Sequence, residues 1–185
     1  MNLMFSIPDK LYYITNFLDY STYKKLHYDV FKSKLINLNS TEKYFGEYLI
    51  HGYKNFVDST SLDTNYLPIK KIKILLENNP FHRIKFKNFK VLIHSMKDGS
   101  GINWHNDEGH FYGVTYYLNR RWNPKFGGEL LFEDEDNKGF IPPVANSLLI
   151  IKTPVYHKVT PVMKPLVPRK TIQIFDEEKK NGKNC

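Results

Sequence analysis

Trp104-His105-Asn106-Asp107 sets an imidazole and a carboxylate two positions apart, and a second histidine, His157, stands well downstream. Side chains of an extended chain alternate faces, so His105 and Asp107 can point the same way and hold one cation. Two neutral imidazoles and a carboxylate on one side of a metal, with the opposite positions open, make the facial triad of non-haem Fe(II) oxygenases. Short His-x-Asp pairs also occur in ordinary surface turns, so three unrelated surface polars is the competing reading. His110 is a rival third ligand, able to reach the same ion only through a tight turn. Arg169 opens Arg169-Lys170-Thr171-Ile172-Gln173-Ile174-Phe175, an alternating run with Arg169, Thr171, Gln173 and Phe175 on one strand face. A polar face headed by arginine suits a carboxylate, which a guanidinium fork meets through two parallel charge-assisted hydrogen bonds.

These groups need a scaffold, and its outline follows from periodicity. Leu11 to Leu18 reads as an early strand leading into a helix, with Ser21 or Thr22 as the N-cap. Tyr23, Leu26, His27, Val30, Phe31 and Leu35 recur at three and four, the stripe of an amphipathic helix in which His27 is a packing residue. From Asn37 to Tyr66 the pattern weakens into loops with at most one short element. Pro68 starts a second helix through Ile69, Ile72, Leu75 and Leu76, ending at Asn78-Asn79-Pro80 and covering one face of a sheet.

Beyond Pro80 the period becomes two. Short strands are expected at Arg83–Lys87, Phe89–Ser95, Tyr112–Leu118, Glu129–Phe132, Ser147–Ile151 and Arg169–Phe175, with no helix of normal length from Phe81 to Phe175. Lys97-Asp98-Gly99-Ser100-Gly101 is the turn that delivers the chain to His105. Glu133-Asp134-Glu135-Asp136 resembles a cation cage, but four adjacent carboxylates cannot all face inward, and a hairpin tip is the simpler reading. A β core with helices on its N-terminal side implies a sandwich or barrel.

From Lys90 to Phe175 the chain resembles the Fe(II)- and 2-oxoglutarate-dependent dioxygenases, within them the prolyl 4-hydroxylase-like branch. The resemblance rests on Gly99-Ser100-Gly101 ahead of His105-Asn106-Asp107, on Gly113-Val114-Thr115-Tyr116-Tyr117-Leu118-Asn119, on Gly127-Gly128-Glu129-Leu130, on His157-Lys158-Val159 followed by Pro161, and on Arg169 with its strand. It implies a double-stranded β-helix, or jelly roll, with His105, Asp107 and His157 as metal ligands and Arg169 as anchor for the distal carboxylate of 2-oxoglutarate. It also implies a second contact to that carboxylate from Tyr116, while Tyr117, on the opposite strand face, reads as core; Thr171 and Gln173 are candidates to line the pocket and Phe175 to touch substrate, with packing an equal reading for all three. Ser95 departs from the pattern, standing where relatives place another cosubstrate tyrosine. The implied cofactors are Fe(II), 2-oxoglutarate and O2, with ascorbate as an accessory reductant. The implied reaction is hydroxylation of a protein or peptide side chain, proline C4 first, with release of succinate and CO2.

Composition bounds the alternatives. At 185 residues, 41% hydrophobic and 15% aromatic, the chain is expected to form a single domain spanning 1–185, with helical support over about 1–80, a β core over about 81–176 and a frayed tail at 177–185. No apolar run is long enough to cross a bilayer, so the expectation is a cytoplasmic protein without a membrane partner. The one cysteine, Cys185, leaves histidine and carboxylate as the metal chemistry. A net charge of +8 admits nucleic acid as partner, although scattered lysines also read as a solvated surface. Alkylated-nucleic-acid demethylases of this chemistry carry a second arginine shortly after the first, and Lys170 to Asp176 has none. Hydroxylation of a free amino acid or other small molecule, and a non-catalytic β-barrel binding module, complete the alternatives. The oligomeric state is not legible.

Overall fold

The computed structural model describes residues 1–32, 47–55 and 57–176. Its elements are β1 (Asn2–Ile7), β2 (Leu11–Thr15), α1 (Tyr20–Lys32), α2 (Glu47–Ile50), β3 (Val57–Ser61), α3 (Leu67–Glu77), β4 (Phe89–Met96), β5 (Ile102–His105), β6 (Tyr112–Tyr117), β7 (Leu130–Asp134), β8 (Asn137–Ile141), β9 (Ser147–Lys152), β10 (Tyr156–Val159) and β11 (Arg169–Asp176). Between Phe81 and Phe175 the described chain has no α-helix, only a 3-10 turn at Pro124–Phe126.

The strands form a seven-stranded sheet, ordered β1-β2-β9-β6-β11-β4-β3, and a four-stranded sheet, ordered β5-β10-β7-β8. Every pairing between strands is antiparallel. The sheets face each other as a jelly roll. At one end Tyr13, Tyr117 and Leu149 of the large sheet meet Leu130, Phe132 and Ile141 of the small one. At the other, Val57 and Met96 meet Ile102 and Val159. A polar gap lies between these two apolar plugs.

The outer face of the large sheet is closed by helices. Ile69, Ile72 and Leu76 of α3 and Leu26 of α1 are fully buried in one cluster with Val114, Tyr116, Ile150 and Ile172. Burial of each such aliphatic side chain contributes on the order of 1.5–3 kcal/mol. Pro68 sits in the first turn of α3, where its missing N–H costs nothing. His27 is half-buried and stacks on Phe31 at 4.6 Å between centroids, and burial lowers its pKa from the ordinary histidine value.

Four expectations need correction. Beside the expected early strand, β2, the supporting region of about 1–80 also holds β1 and β3, and all three join the large sheet. The N-cap of α1 is neither Ser21 nor Thr22. Asp19 fills it, accepting from Thr22 N at 3.0 Å and also from Lys71 of α3, so the cap ties the two helices together. Arg83–Lys87 is not a strand. Ile84 and Phe86 alternate inward because they pack into the helical cluster, and alternation of that origin mimics a strand in sequence. Asn37–Tyr66 holds two short elements, α2 and β3, where at most one was expected. Leu35, residues 37–46 and the tail at 177–185 lie outside the described residues. Among the described residues, no helix is long and apolar enough to cross a membrane.

Candidate metal centre

β10 pairs with β5 in a register that sets His157 directly opposite His105, with ring centroids 4.2 Å apart. Asp107 joins them by another route than strand alternation. β5 ends at His105, and Asp107 lies beyond it with φ +54°, in a left-handed conformation that aspartate tolerates better than most residues. The turn brings Oδ1 to 3.5 Å from His105 Nε2 and Oδ2 to 3.5 Å from His157 Nε2. One donor atom from each residue lies within 4.8 Å of the other two.

Both rings are oriented by their own strands. His105 Nδ1 lies 2.7 Å from Asn103 O, and His157 Nδ1 lies 2.9 Å from Val155 O. A carbonyl only accepts, so each Nδ1 carries the proton and each Nε2 keeps its lone pair for the shared point, the usual support of a ligating histidine. Burial, then the neighbouring His105, lowers the His157 pKa, with Asp107 opposing, so the ring favours the neutral form that binds metal. Two imidazoles and a carboxylate converging through correctly set tautomers fit an Fe(II) ion, with one side left open.

The opposing wall is the inner face of the large sheet. Gly113, Thr115 and Tyr117 of β6 pair with Phe175, Gln173 and Thr171 of β11. Gly113 lies so close to the trio that a Cβ there would come 2.7 Å from Asp107 Oδ2. Thr115 Oγ1 donates to Gln173 Oε1 at 2.7 Å, and Gln173 Nε2 donates to Thr171 Oγ1 at 3.0 Å, a chain that fixes the wall.

Arg169 stands at the foot of this face, 2% exposed, its guanidinium 5.3 Å from the Tyr117 ring centroid. Arg169 Nε and the Tyr117 hydroxyl are buried without a partner of hydrogen-bond geometry. Buried orphans of this kind call for an acceptor. Two residues hold the arginine in place. Asn119 donates to Pro168 O at 3.0 Å and accepts from Lys170 N at 2.7 Å, gripping both chain neighbours of Arg169. Gly128, at φ +76°, admits the arginine stem where a Cβ would come 2.8 Å from its Cδ.

Two site expectations slip by one strand position. Tyr116 faces the helices, not the site: its hydroxyl donates to Asn146 Oδ1 at 2.7 Å and its ring meets Phe17 at 6.4 Å. Tyr117, expected in the core, is the tyrosine beside Arg169. Likewise Ser95 pairs with Lys170, whose ammonium donates to Val30 O of α1, so Ser95 lies on the helix side. The inward residue of β4 is His94, opposite Thr171 and lining the same cavity as the trio. Parity counted from Gly113 reaches Tyr117, but nothing in the sequence says which parity faces the metal.

His110 is not part of the trio. It places Nδ1 2.6 Å from Asp176 O and lines a mouth cavity of about 230 Å³ with His105, Asp107, Glu108, Lys90 and Phe175. The four acidic residues belong to the β7–β8 hairpin, where Glu133 pairs with Lys138 and Asp134 with Lys10. A larger surface groove, about 810 Å³, runs beside that hairpin past Trp104 and Tyr156 and contains none of the three converging residues.

Residues 91–175 match the family model of the 2OG-Fe(II) oxygenase superfamily. This core is a 2OG-Fe(II) oxygenase domain. Such oxygenases use Fe(II), 2-oxoglutarate and O2. No curated protein sequence matches the chain. Solved structures do. A prolyl 4-hydroxylase of Pseudomonas putida is 18% identical, with a TM-score of 0.70 over 91% of this chain and 93% of its own. A Trichoplax adhaerens prolyl hydroxylase, in complex with a peptide fragment of the hypoxia inducible factor oxygen degradation domain, is 20% identical, with a TM-score of 0.67 over 91% of this chain and 83% of its own. A viral collagen prolyl hydroxylase of Paramecium bursaria Chlorella virus-1, complexed with 2OG, is 15% identical, with a TM-score of 0.62 over 91% and 96%. At these identities the likeness is one of fold.

Proposed function

We propose that the oxygenase hydroxylates a side chain of a protein or peptide, proline C4 first, consuming 2-oxoglutarate and O2 and releasing succinate and CO2. The observation that carries this reading is the position of Arg169, buried with an unsatisfied Nε on the wall that faces His105, Asp107 and His157. Bound Fe(II) would supply the activation of O2 coupled to decarboxylation of the cosubstrate.

The chain's own part is positioning. His105 and His157 offer Nε2, and Asp107 adds one negative charge, so a loaded Fe(II) site keeps net positive charge and attracts a dianion. Arg169 and the Tyr117 hydroxyl would grip the distal carboxylate. The Thr115–Gln173–Thr171 chain holds the wall still, and the apolar plugs at both ends of the gap exclude water. The substrate side chain enters through the mouth beside Glu108, His110 and Phe175. A protein or peptide substrate is supported by the fold shared with three prolyl hydroxylases, one of them complexed with a peptide. Ascorbate would serve as the reductant that restores Fe(II).

The test is to incubate the protein with Fe(II), 2-oxoglutarate and ascorbate, with prolyl peptides, free proline and methylated oligonucleotides in parallel. The expected result is a one-oxygen mass gain on a prolyl peptide, coupled to succinate. Gain on free proline alone, or loss of methyl from the oligonucleotides, would replace the peptide reading, and absence of succinate in every arm would overturn the activity.

A further inference from the structure

Between α3 and β4 the chain alternates: Ile84 and Phe86 are buried in the helical cluster, while Arg83, Lys85 and Lys87 are exposed. Aromatic contacts fix the course of this segment at both ends. His82 stacks on Tyr12 of β2 at 4.6 Å and meets Tyr112, at the start of β6, at 5.6 Å. Phe86 meets Phe89, at the start of β4, at 5.6 Å. The segment therefore crosses the large sheet at the end where β6 and β4 begin and β11 stops, the end that opens to the metal centre. Lys90 continues the line into the mouth cavity, its ammonium 5.7 Å from the Phe175 ring centroid. Lys152, exposed and opposite Tyr112 in the β6–β9 register, adds a fifth cation.

Among the described residues, none of these five cations forms an ion pair. Of the carboxylates nearby, Asp9 is exposed, Glu108 accepts from Asn106 Nδ2, and Asp176 accepts from the backbone of Phe111 and Tyr112. Across the metal centre the balance of charge reverses. Tyr156, next to His157, pairs with Glu133 of the β7–β8 hairpin, where Asp134, Glu135 and Asp136 follow.

We propose that the basic rim of Arg83, Lys85, Lys87, Lys90 and Lys152 docks an acidic segment of the substrate protein, so that target residues flanked by aspartate or glutamate are favoured. The inference deepens the reading of a peptide hydroxylase given above. Cations at alternate positions stand about 7 Å apart, the repeat of alternate side chains in an extended peptide, so every second residue of an acidic segment can meet one. Rim charges of this kind steer encounter and select partners more than they add affinity. A nucleic acid fits less well, because its charge continues past the mouth towards the acidic hairpin, whereas the acidic run of a peptide can stop at the target residue.

The experiment is fluorescence anisotropy of labelled peptides on Zn(II)-loaded protein with 2-oxoglutarate. Each peptide carries one proline, with glutamate, glutamine or lysine at alternate positions on its N-terminal or its C-terminal side. In one of the two orientations the glutamate peptide should bind the parent about tenfold tighter than the glutamine peptide, which three exposed ion pairs of middling strength supply. Added salt should shrink that difference. The joint variant Arg83→Glu, Lys85→Glu and Lys87→Glu should reverse the order in favour of the lysine peptide. If it does not fold, Lys85→Gln with Lys87→Gln, two solvent-facing changes, should remove most of the preference. Equal or absent binding of the glutamate and glutamine peptides in both orientations, or a preference that survives these substitutions, would overturn the proposal. So would a single-stranded oligonucleotide that displaces the glutamate peptide at lower concentration than the unlabelled peptide does, since the rim would then be a nucleic-acid site. Turnover of the same peptides by the Fe(II) protein, read by mass, separates the two levels of the argument. Oxidation of proline without charge preference sinks the rim alone, and charge preference without oxidation of any prolyl peptide sinks the prolyl assignment alone.

Discussion

Gly113→Ala tests the metal centre without replacing a ligand. The added methyl would sit 2.7 Å from Asp107 Oδ2, while its next neighbours, Asp107 Cγ and Phe175 Cε1, stay at 3.8 Å in ordinary contact. Ordinary contact begins near 3.4 Å, so Oδ2 must retreat by 3.4 − 2.7 = 0.7 Å and nothing else need move. The obstructing atom ends a short side chain, so the fold should bear the change at about 0.5–1.5 kcal/mol, the cost of driving one side chain off its rotamer. Metal ligation is far less forgiving, since coordination distances hold to about 0.2 Å. Disturbing the groups that aim a ligand typically costs about 10–100-fold in metal affinity. Competitive metal titration of the variant against a chromophoric chelator should therefore show a loss in that range, with thermal melting of the metal-free protein lowered by only a few degrees. Parent metal affinity and parent turnover together would refute the reasoning, since Asp107 would then not be held at the ion by this contact.

Three further outcomes follow from particular side chains. Tyr117→Phe should raise the 2-oxoglutarate concentration required for succinate formation with little change in melting temperature, and Tyr116→Phe should do the reverse by leaving Asn146 Oδ1 one donor short; the opposite pattern would restore Tyr116 to the site. Gly128→Ala should act like a weakened Arg169, because its Cβ would press on the arginine stem at 2.8 Å from a backbone of φ +76°; an unchanged cosubstrate requirement would show that the arginine relaxes freely. Burial, then Arg169 and His105, holds His94 down at about 3, against an ordinary value of 6.5, so the folded protein binds no proton there while the unfolded chain does. Stability contributed by the neutral ring is present above pH 6.5 and lost as pH falls towards 3, at up to about 1.4 kcal/mol per pH unit. Metal-free His94→Phe should give a flatter denaturation profile across that window, and an identical slope would show that His94 protonates in the folded state.

Much of this site was legible from residue types and spacing alone. His105, Asp107 and His157 stand out as donors, Arg169 heads an alternating run, and β4, β6, β7, β9 and β11 announce themselves by composition, whereas β5, β8 and β10 do not. The two slips at Tyr116 and Ser95 share one physical cause. A strand with one wet face reveals its inward parity, but β6 is buried from Gly113 to Tyr117 and β4 from Val91 to Met96, so neither strand's hydrophobicity distinguishes its two faces. Which face meets the metal was settled by sheet register and by helices α1 and α3 covering the other side. The cap at Asp19 depends on tertiary contact too, since Lys71 reaches it from a separate helix. So does the grip of Asn119 on the residues flanking Arg169, and so does the close approach of Gly113 to Asp107. Sequence determined what chemistry the chain can offer, because a side chain's donors are its own. Only the folded sheets decided which donors meet, because a one-residue change of parity carries a side chain from one face of a sheet to the other.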